Sequence, residues 1–263
     1  MKHLTSQNNT ELKRLRLLFQ KAKERKKQGV FVIEGIREIE KAILGDYKIN
    51  AFFVEEGCES VYSKILNKSK EVLTFSVKKS VFEITSMRSG SEKIIAIVKS
   101  KTHTLDRLNL TDNGIILVVE APEKPGNIGA LYRTAAAAKI DSIIIANPKT
   151  DFYNPNSIRS SLGSVFLVPT ALAPSFEVIA YLKKNAYRIL TAAIVPNAIN
   201  YNKYHYKKPC AIVMGAESTG LTKSWIEATD QHLIIPMDKS CLLYTSDAAD
   251  EGLGVDLGGR RII

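Results

Sequence analysis

Three polar side chains stand in or beside loops whose pattern could hold an anionic ligand such as a phosphodiester. Asn127 and Arg133 lie in Glu120-Ala-Pro-Glu-Lys-Pro-Gly-Asn-Ile-Gly-Ala-Leu-Tyr-Arg-Thr, and Glu217 lies in Ile212-Val-Met-Gly-Ala-Glu-Ser-Thr-Gly-Leu-Thr. The first segment reads as a strand running into a Pro/Gly loop, with a helix starting near Ile128 and Asn127 as its N-cap. Gly126 and Gly129 are spaced GxxG, which matches neither the dinucleotide fingerprint nor a Walker loop. Arg133 follows about one and a half turns into that helix. A guanidinium near a helix N-terminus and a Gly loop suits a phosphodiester anchor, although an Arg paired along its own helix is the plainer reading.

The second segment is a buried strand that delivers Gly215, then Glu217, then Gly220 at a helix entrance. Small residues there allow close approach of a ligand to the backbone, and loops at the carboxyl edge of a parallel sheet commonly form ligand sites. Glu217 by itself reads equally as a cap or surface carboxylate. A third segment, Leu233-Ile-Ile-Pro-Met, ends an apolar strand at a proline and sets Ile235 and Met237 beside the same loop.

Two runs of alternating strands and helices must position these residues. Residues 1–30 hold nine Lys/Arg against Glu11 and Glu24, with Leu12, Leu15, Leu18 and Phe19 at helical spacing and Asn9 or Thr10 as cap. That is an amphipathic helix with a basic outer face. FVIEG, INAFFVEE, EVLTFS and EKIIAIVKS then read as strands separated by three helices, giving a first α/β module. The polar stretch Lys101–Asn113 reads as a linker. Beyond it GIILVVE, SIIIAN, SVFLVP, YRILTAAI, CAIVMG and HLIIPM read as strands of a mostly parallel sheet covered on both faces. A tyrosine-rich loop (Tyr201, Tyr204, Tyr206) precedes CAIVMG, and Thr191 falls near the end of YRILTAAI.

Composition limits the function classes. The 263 residues are 45% hydrophobic and 24% charged, ordinary for a globular chain and incompatible with wholesale disorder. No apolar run approaches the ~20 residues that span a bilayer, and the first residues contain no secretory h-region. Cys58, Cys210 and Cys241 are far apart with no CxxC, which suggests neither a disulfide framework nor a zinc site and points to a reducing, cytoplasmic setting. A formal charge of +10 favours a polyanionic partner such as nucleic acid.

Taken together, PGNIGALYRTA (Pro125–Ala135), VMGAESTGL (Val213–Leu221) and IPM (Ile235–Met237) resemble the three ordered motifs of the SpoU/TrmH family of RNA 2′-O-ribose methyltransferases, in the SPOUT superfamily. SSLGSVFLVP resembles the family's segment between the first two motifs, and FVIEG after a basic helix resembles its substrate-binding domain. The resemblance implies a ribosomal-protein-like α/β RNA-binding domain over 1–105 and an α/β trefoil-knot methyltransferase domain over 106–240. It implies methyl transfer from S-adenosylmethionine to a ribose 2′-hydroxyl of structured RNA, 23S ribosomal RNA foremost and transfer RNA next, by a homodimer with no membrane partner and no metal. Arg133, Asn127 and Glu217 fall on its catalytic positions; Thr191, Gly215, Ile235 and Met237 fall on its cofactor-binding positions. Arg133 is expected to clamp a phosphate, since a guanidinium hardly deprotonates, with Glu217 orienting it. The competing reading is a non-catalytic RNA-binding protein with a degenerate second domain. A nucleotide oxidoreductase is disfavoured by the missing Gly-rich fingerprint.

The sequence departs from the family after Lys239-Ser240, where a Ser-Leu-Asn stretch and a helix are expected. CLLYTSDAADE and VDLGGRRII instead resemble translated sequencing adapter, so residues 241–263 are read as foreign to the fold. Without them the charge is near +12. The knot is then expected to be incomplete, and the chain as written catalytically impaired.

Overall fold

The computed structural model describes residues 1–69, 71–87 and 92–236. The departure after Ser240 therefore lies outside the described residues, as does Met237. The first unit runs β1 (Lys2–Leu4), α1 (Thr10–Gln20), α2 (Ala22–Gln28), β2 (Val30–Glu34), α3 (Ile36–Leu44), β3 (Ile49–Glu55), α4 (Ser63–Lys68), β4 (Leu73–Val77), α5 (Lys79–Thr85) and β5 (Ile94–Lys99). Its sheet has the order β1-β4-β3-β5-β2, with β5 antiparallel to both neighbours and the rest parallel.

The basic N-terminal segment forms two helices rather than one. Asn9 caps α1 by accepting from the Glu11 N–H at 2.9 Å, as expected. At Lys21 the backbone becomes extended (φ −120°, ψ 110°) and a new helix begins. The carbonyls left open at the end of α1 are met by Arg25, whose Nη1 donates to Leu18 O (2.6 Å) and Phe19 O (3.1 Å). A cation at a helix C-terminus also complements the helix dipole.

Period-two alternation in β2 divides the core. Val30 and Val32 face α1 together with Leu12, Leu15, Leu18, Phe53 and Phe75. Phe31 and Ile33 face the other way, into a cluster that also contains Ile128, Tyr132, Ile143, Tyr153 and Phe166 from the second unit. The two units thus share one core. Arg25, only 3% exposed, crosses the same boundary, its Nε and Nη2 both donating to Asp151 Oδ2 at 2.7 Å.

The stretch Lys101–Asn113 joins the units; most of it is exposed, and it is anchored by half-buried His103 and buried Leu108. His103 O accepts from Leu172 N at 2.8 Å, while its ring touches Thr170 O (3.2 Å) and the Tyr153 hydroxyl (2.7 Å). The second unit then runs β6 (Ile115–Glu120), α6 (Pro125–Ala137), β7 (Ser142–Ala146), α7 (Pro155–Ser160), β8 (Thr170–Ala173), α8 (Ser175–Lys184), β9 (Arg188–Ala192), β10 (Ile199–Asn200), β11 (Cys210–Met214), α9 (Lys223–Ala228) and β12 (Gln231–Ile234). All seven strands are parallel, in the order β10-β12-β9-β11-β6-β7-β8. Ile116, Val118, Ile144 and Val213 line one face under Trp225 and α8. One expected strand is misplaced: Ser164–Phe166 of SVFLVP is a 3-10 turn entered through Gly163 at φ 77°, and the strand starts only at Thr170. Val165 and Phe166 are apolar because they fill the shared core, not because they pair in the sheet.

Candidate functional site

Because the seven strands run one way, all their carboxyl ends lie along one edge. The loop after β6 and the loop after β11 meet there. Helix α6 begins at Pro125 with Lys124 as its N-cap, so Asn127 sits inside the first turn and is not the cap. This frees its side chain, and Nδ2 donates to Glu217 Oε1 in a short hydrogen bond. That bond, with weaker help from its own backbone N–H and then from nearby Lys124, holds the Glu217 carboxyl below its ordinary range. Two of the three expected catalytic residues are thereby joined across 90 positions of sequence.

Arg133 is not part of that pair. It is exposed on α6, six residues beyond Asn127, and makes no hydrogen bond or ion pair among the described residues. Six residues place it about a third of a turn round and ~9 Å along the helix from Asn127. Glu217 therefore orients Asn127 rather than Arg133, contrary to the expectation.

The loop carrying Glu217 is closed on itself. Ala216 and Gly220 exchange both backbone hydrogen bonds at 3.0 Å, with Gly220 at φ 65°. A Cβ on Gly215 would lie 2.3 Å from the Gly220 carbonyl carbon. Gly215 is thus required by the loop's own crossing. Gly129 has a comparable role, since a Cβ there would meet Ser160 Oγ at 2.0 Å where α6 packs on α7.

A residue the sequence reading left without a role fixes the far end of this loop. Glu120, 1% exposed at the end of β6, accepts from Thr222 N (2.8 Å), Thr222 Oγ1 (2.8 Å) and Ser175 Oγ (2.9 Å), with Asn147 Nδ2 at 3.4 Å. Ser175 Oγ in turn accepts from Asn147 Nδ2 (2.8 Å) and Trp225 Nε1 (3.0 Å). A buried carboxylate needs such donors to offset its lost hydration. The signal available in sequence was an acidic residue ending an otherwise apolar strand.

Of the expected cofactor residues, Gly215 and Ile235 lie at the strand ends. Thr191 is wholly buried in β9, its hydroxyl engaged by His232 Nδ1 (2.8 Å) and Thr229 Oγ1 (3.1 Å) and its backbone set between β11 and β12, so both its side chain and its backbone have partners within the sheet. β12 pairs with β9 in the register Leu233↔Ala192. Just past the ends of these two strands, Ile194 and Ile235 are 61% and 50% exposed apolar side chains. Among the described residues no group of three or more His, Cys, Asp or Glu could hold a metal ion, and no helix is long and apolar enough to cross a membrane.

Residues 114–242 match the SpoU rRNA Methylase family, and residues 9–96 match the MRM3-like substrate binding domain. The 23S rRNA (uridine(2479)-2′-O)-methyltransferase of Streptomyces viridochromogenes is 24% identical over 243 residues, covering 90% of this chain and 84% of that one. The crystal structure of an RNA 2′-O ribose methyltransferase is 30% identical with a TM-score of 0.76, over 95% of this chain and 99% of that one. An AdoMet-bound rRNA methyltransferase from Sinorhizobium meliloti superposes with a TM-score of 0.82 at 23% identity, over 90% and 89% of the two chains.

Proposed function

Since the chain belongs to the SpoU rRNA methylase family, with the SPOUT fold behind an N-terminal substrate-binding domain, we propose that it methylates a ribose 2′-hydroxyl of ribosomal RNA. S-adenosylmethionine is the methyl donor. The observation that carries the reading is the Asn127–Glu217 bond, which joins the first and second motifs at the carboxyl edge of the sheet. The residues present fit that cofactor: exposed Ile194 and Ile235 follow the ends of the adjacent strands β9 and β12 and offer apolar surface, with strand-end backbone at Gly215 on the same edge. Gly215 and Ile235 would hold it; Thr191 and Met237 keep the same assignment from sequence. When bound, S-adenosylmethionine supplies an electrophilic methyl group on its sulfonium.

The chain's own residues have separable tasks. The Arg133 guanidinium, a cation with no acceptor, holds a phosphate and steadies negative charge developing on the 2′-oxygen. Glu217, ionised and held there by Asn127, is a poor proton acceptor at neutral pH. Its task is to fix the Asn127 side chain. Glu120 positions the loop that carries both Gly215 and Glu217.

We assign residues 1–105 to RNA binding and 106–240 to methyl transfer, in a cytoplasmic homodimer. Lys13, Lys23, Lys26 and Lys27 are exposed on α1 and α2 and supply phosphate contacts. Arg25, expected on that face, is instead buried in the Asp151 pair. The test is incorporation of labelled methyl groups from S-adenosylmethionine into 23S ribosomal RNA, mapped to a 2′-oxygen. The chain is assayed as written and with a Ser-Leu-Asn family continuation replacing residues 241–263. Incorporation in either form supports the reading. RNA binding without incorporation in both would favour the non-catalytic alternative.

A further inference from the structure

The segment Tyr201-Asn-Lys-Tyr-His-Tyr-Lys-Lys-Pro interleaves aromatic and basic residues, contains no carboxylate, and has no part in the site above. It begins at the same edge. β10 runs parallel to β12 with Asn200 opposite Ile234, so Tyr201 emerges next to Ile235. Four strand spacings separate β10 from β6, or ~19 Å across the edge. The segment then returns toward the start of β11 at Cys210, so Tyr201 is its part nearest this edge, and a polynucleotide whose ribose lay at the Asn127–Glu217 pair would reach Tyr201 a few nucleotides away.

The segment is held in shape. Asn200 Oδ1 accepts from Asn202 N at 3.3 Å, turning the chain just after the strand. Tyr204 packs against Leu190, Cys210 and Leu233, and Tyr206 meets it edge to face at a centroid distance of 5.2 Å. The Tyr206 hydroxyl donates to Tyr201 O at 2.9 Å, fastening the two ends together. Tyr201 and Tyr206 remain 45% and 41% exposed. Lys203, Lys207 and Lys208 are exposed and make no ion pair among the described residues. Exposed aromatic faces on a fixed turn, flanked by free ammonium groups, are what unstacked nucleotides require: stacking for the base and cations for the phosphates.

We propose that residues 201–208 form a second RNA-binding site, which takes single-stranded nucleotides flanking the methylated ribose by stacking on Tyr201 and Tyr206. The proposal rests on the reading of RNA as substrate and adds a contact outside the N-terminal domain. A pre-shaped platform loses little ordering entropy when it binds.

The test uses a single-stranded RNA 20-mer of mixed sequence and the corresponding duplex, with S-adenosylmethionine binding measured in parallel by calorimetry. Tyr201→Ala/Tyr206→Ala should weaken single-strand binding about tenfold or more and duplex binding much less. Tyr201→Phe should retain the affinity, because the ring and not the hydroxyl does the stacking. Lys203→Ala/Lys207→Ala/Lys208→Ala should lower the magnitude of the salt slope by about two. Equal loss for both RNAs, or the same loss in Tyr201→Phe, would overturn stacking. Unchanged RNA affinity with a shift in sedimentation would identify the segment as a subunit contact and also overturn it. Because cofactor binding is read separately, failure of the platform is distinguishable from failure of the methyltransferase reading.

Discussion

At the level of single side chains, the site depends on two carboxylates with opposite surroundings. Glu217 is exposed and held by one amide, so Asn127→Ala should let its carboxyl return upward toward its ordinary range, which carboxyl carbon NMR titration would show. The same variant should lower turnover by about tenfold to a thousandfold while RNA affinity stays near the parent value. A loss of RNA affinity without a turnover change would reverse the assignment. Glu120 is buried and receives Thr222 N–H, Thr222 O–H and Ser175 O–H. In Glu120→Gln an amide NH2 must face one of these donors, leaving it unsatisfied at a cost of about 1–3 kcal/mol. Reduced thermal stability and weaker S-adenosylmethionine binding should appear together. If stability falls but cofactor affinity does not, the loop is not held by Glu120.

At the level of elements, two close approaches set the geometry of the edge. Gly215→Ala would drive a Cβ into the Gly220 backbone and open the loop that carries Glu217. Backbone cannot yield as a flexible side chain can, so about 1–3 kcal/mol of destabilisation is expected, measured by denaturant melts. An undisturbed melt would show that the loop opens at little cost. The strands themselves were legible beforehand, because IILVV, SIIIA and CAIVM are buried on both faces and read as unbroken apolar runs. SVFLV carried the same signal for a different reason, filling the core between the two units. The break at Lys21 had no Gly or Pro to mark it; what allows it is Arg25 reaching back from the next helix. Through-space pairs were hidden altogether. Asn127 and Glu217 could be named from their motifs, but which side chain Glu217 would engage depended on where α6 starts.

At the level of the whole molecule, the join between the units carries its own pH dependence. Burial beside Thr170 and Tyr153 pushes His103 down to about 4, while in the unfolded chain it titrates near its ordinary value of about 6.5. The unfolded state then binds the extra proton at mildly acid pH. Stability is fully present above about pH 6.5 and is lost as pH falls toward 4, on the order of 2 kcal/mol between pH 7 and pH 5. Denaturant melts should show that loss in the parent and a flatter profile in His103→Gln; parallel profiles would place the titration elsewhere. The buried Arg25–Asp151 pair adds a second constraint across the join. Removing one partner, as in Arg25→Met, strands a carboxylate and should cost about 3–5 kcal/mol, whereas Arg25→Met/Asp151→Leu should recover most of it. Equal melts for the single and double variants would show that the stranded charge is not what destabilises the molecule. A hydrophobic core common to both units has a further consequence. The basic helices and the methyl-transfer edge are two jaws of a caliper locked at one setting. An RNA is then measured rather than embraced: one whose backbone and reactive ribose are wrongly spaced has to bend to fit, because a core shared by both units resists any change in their spacing.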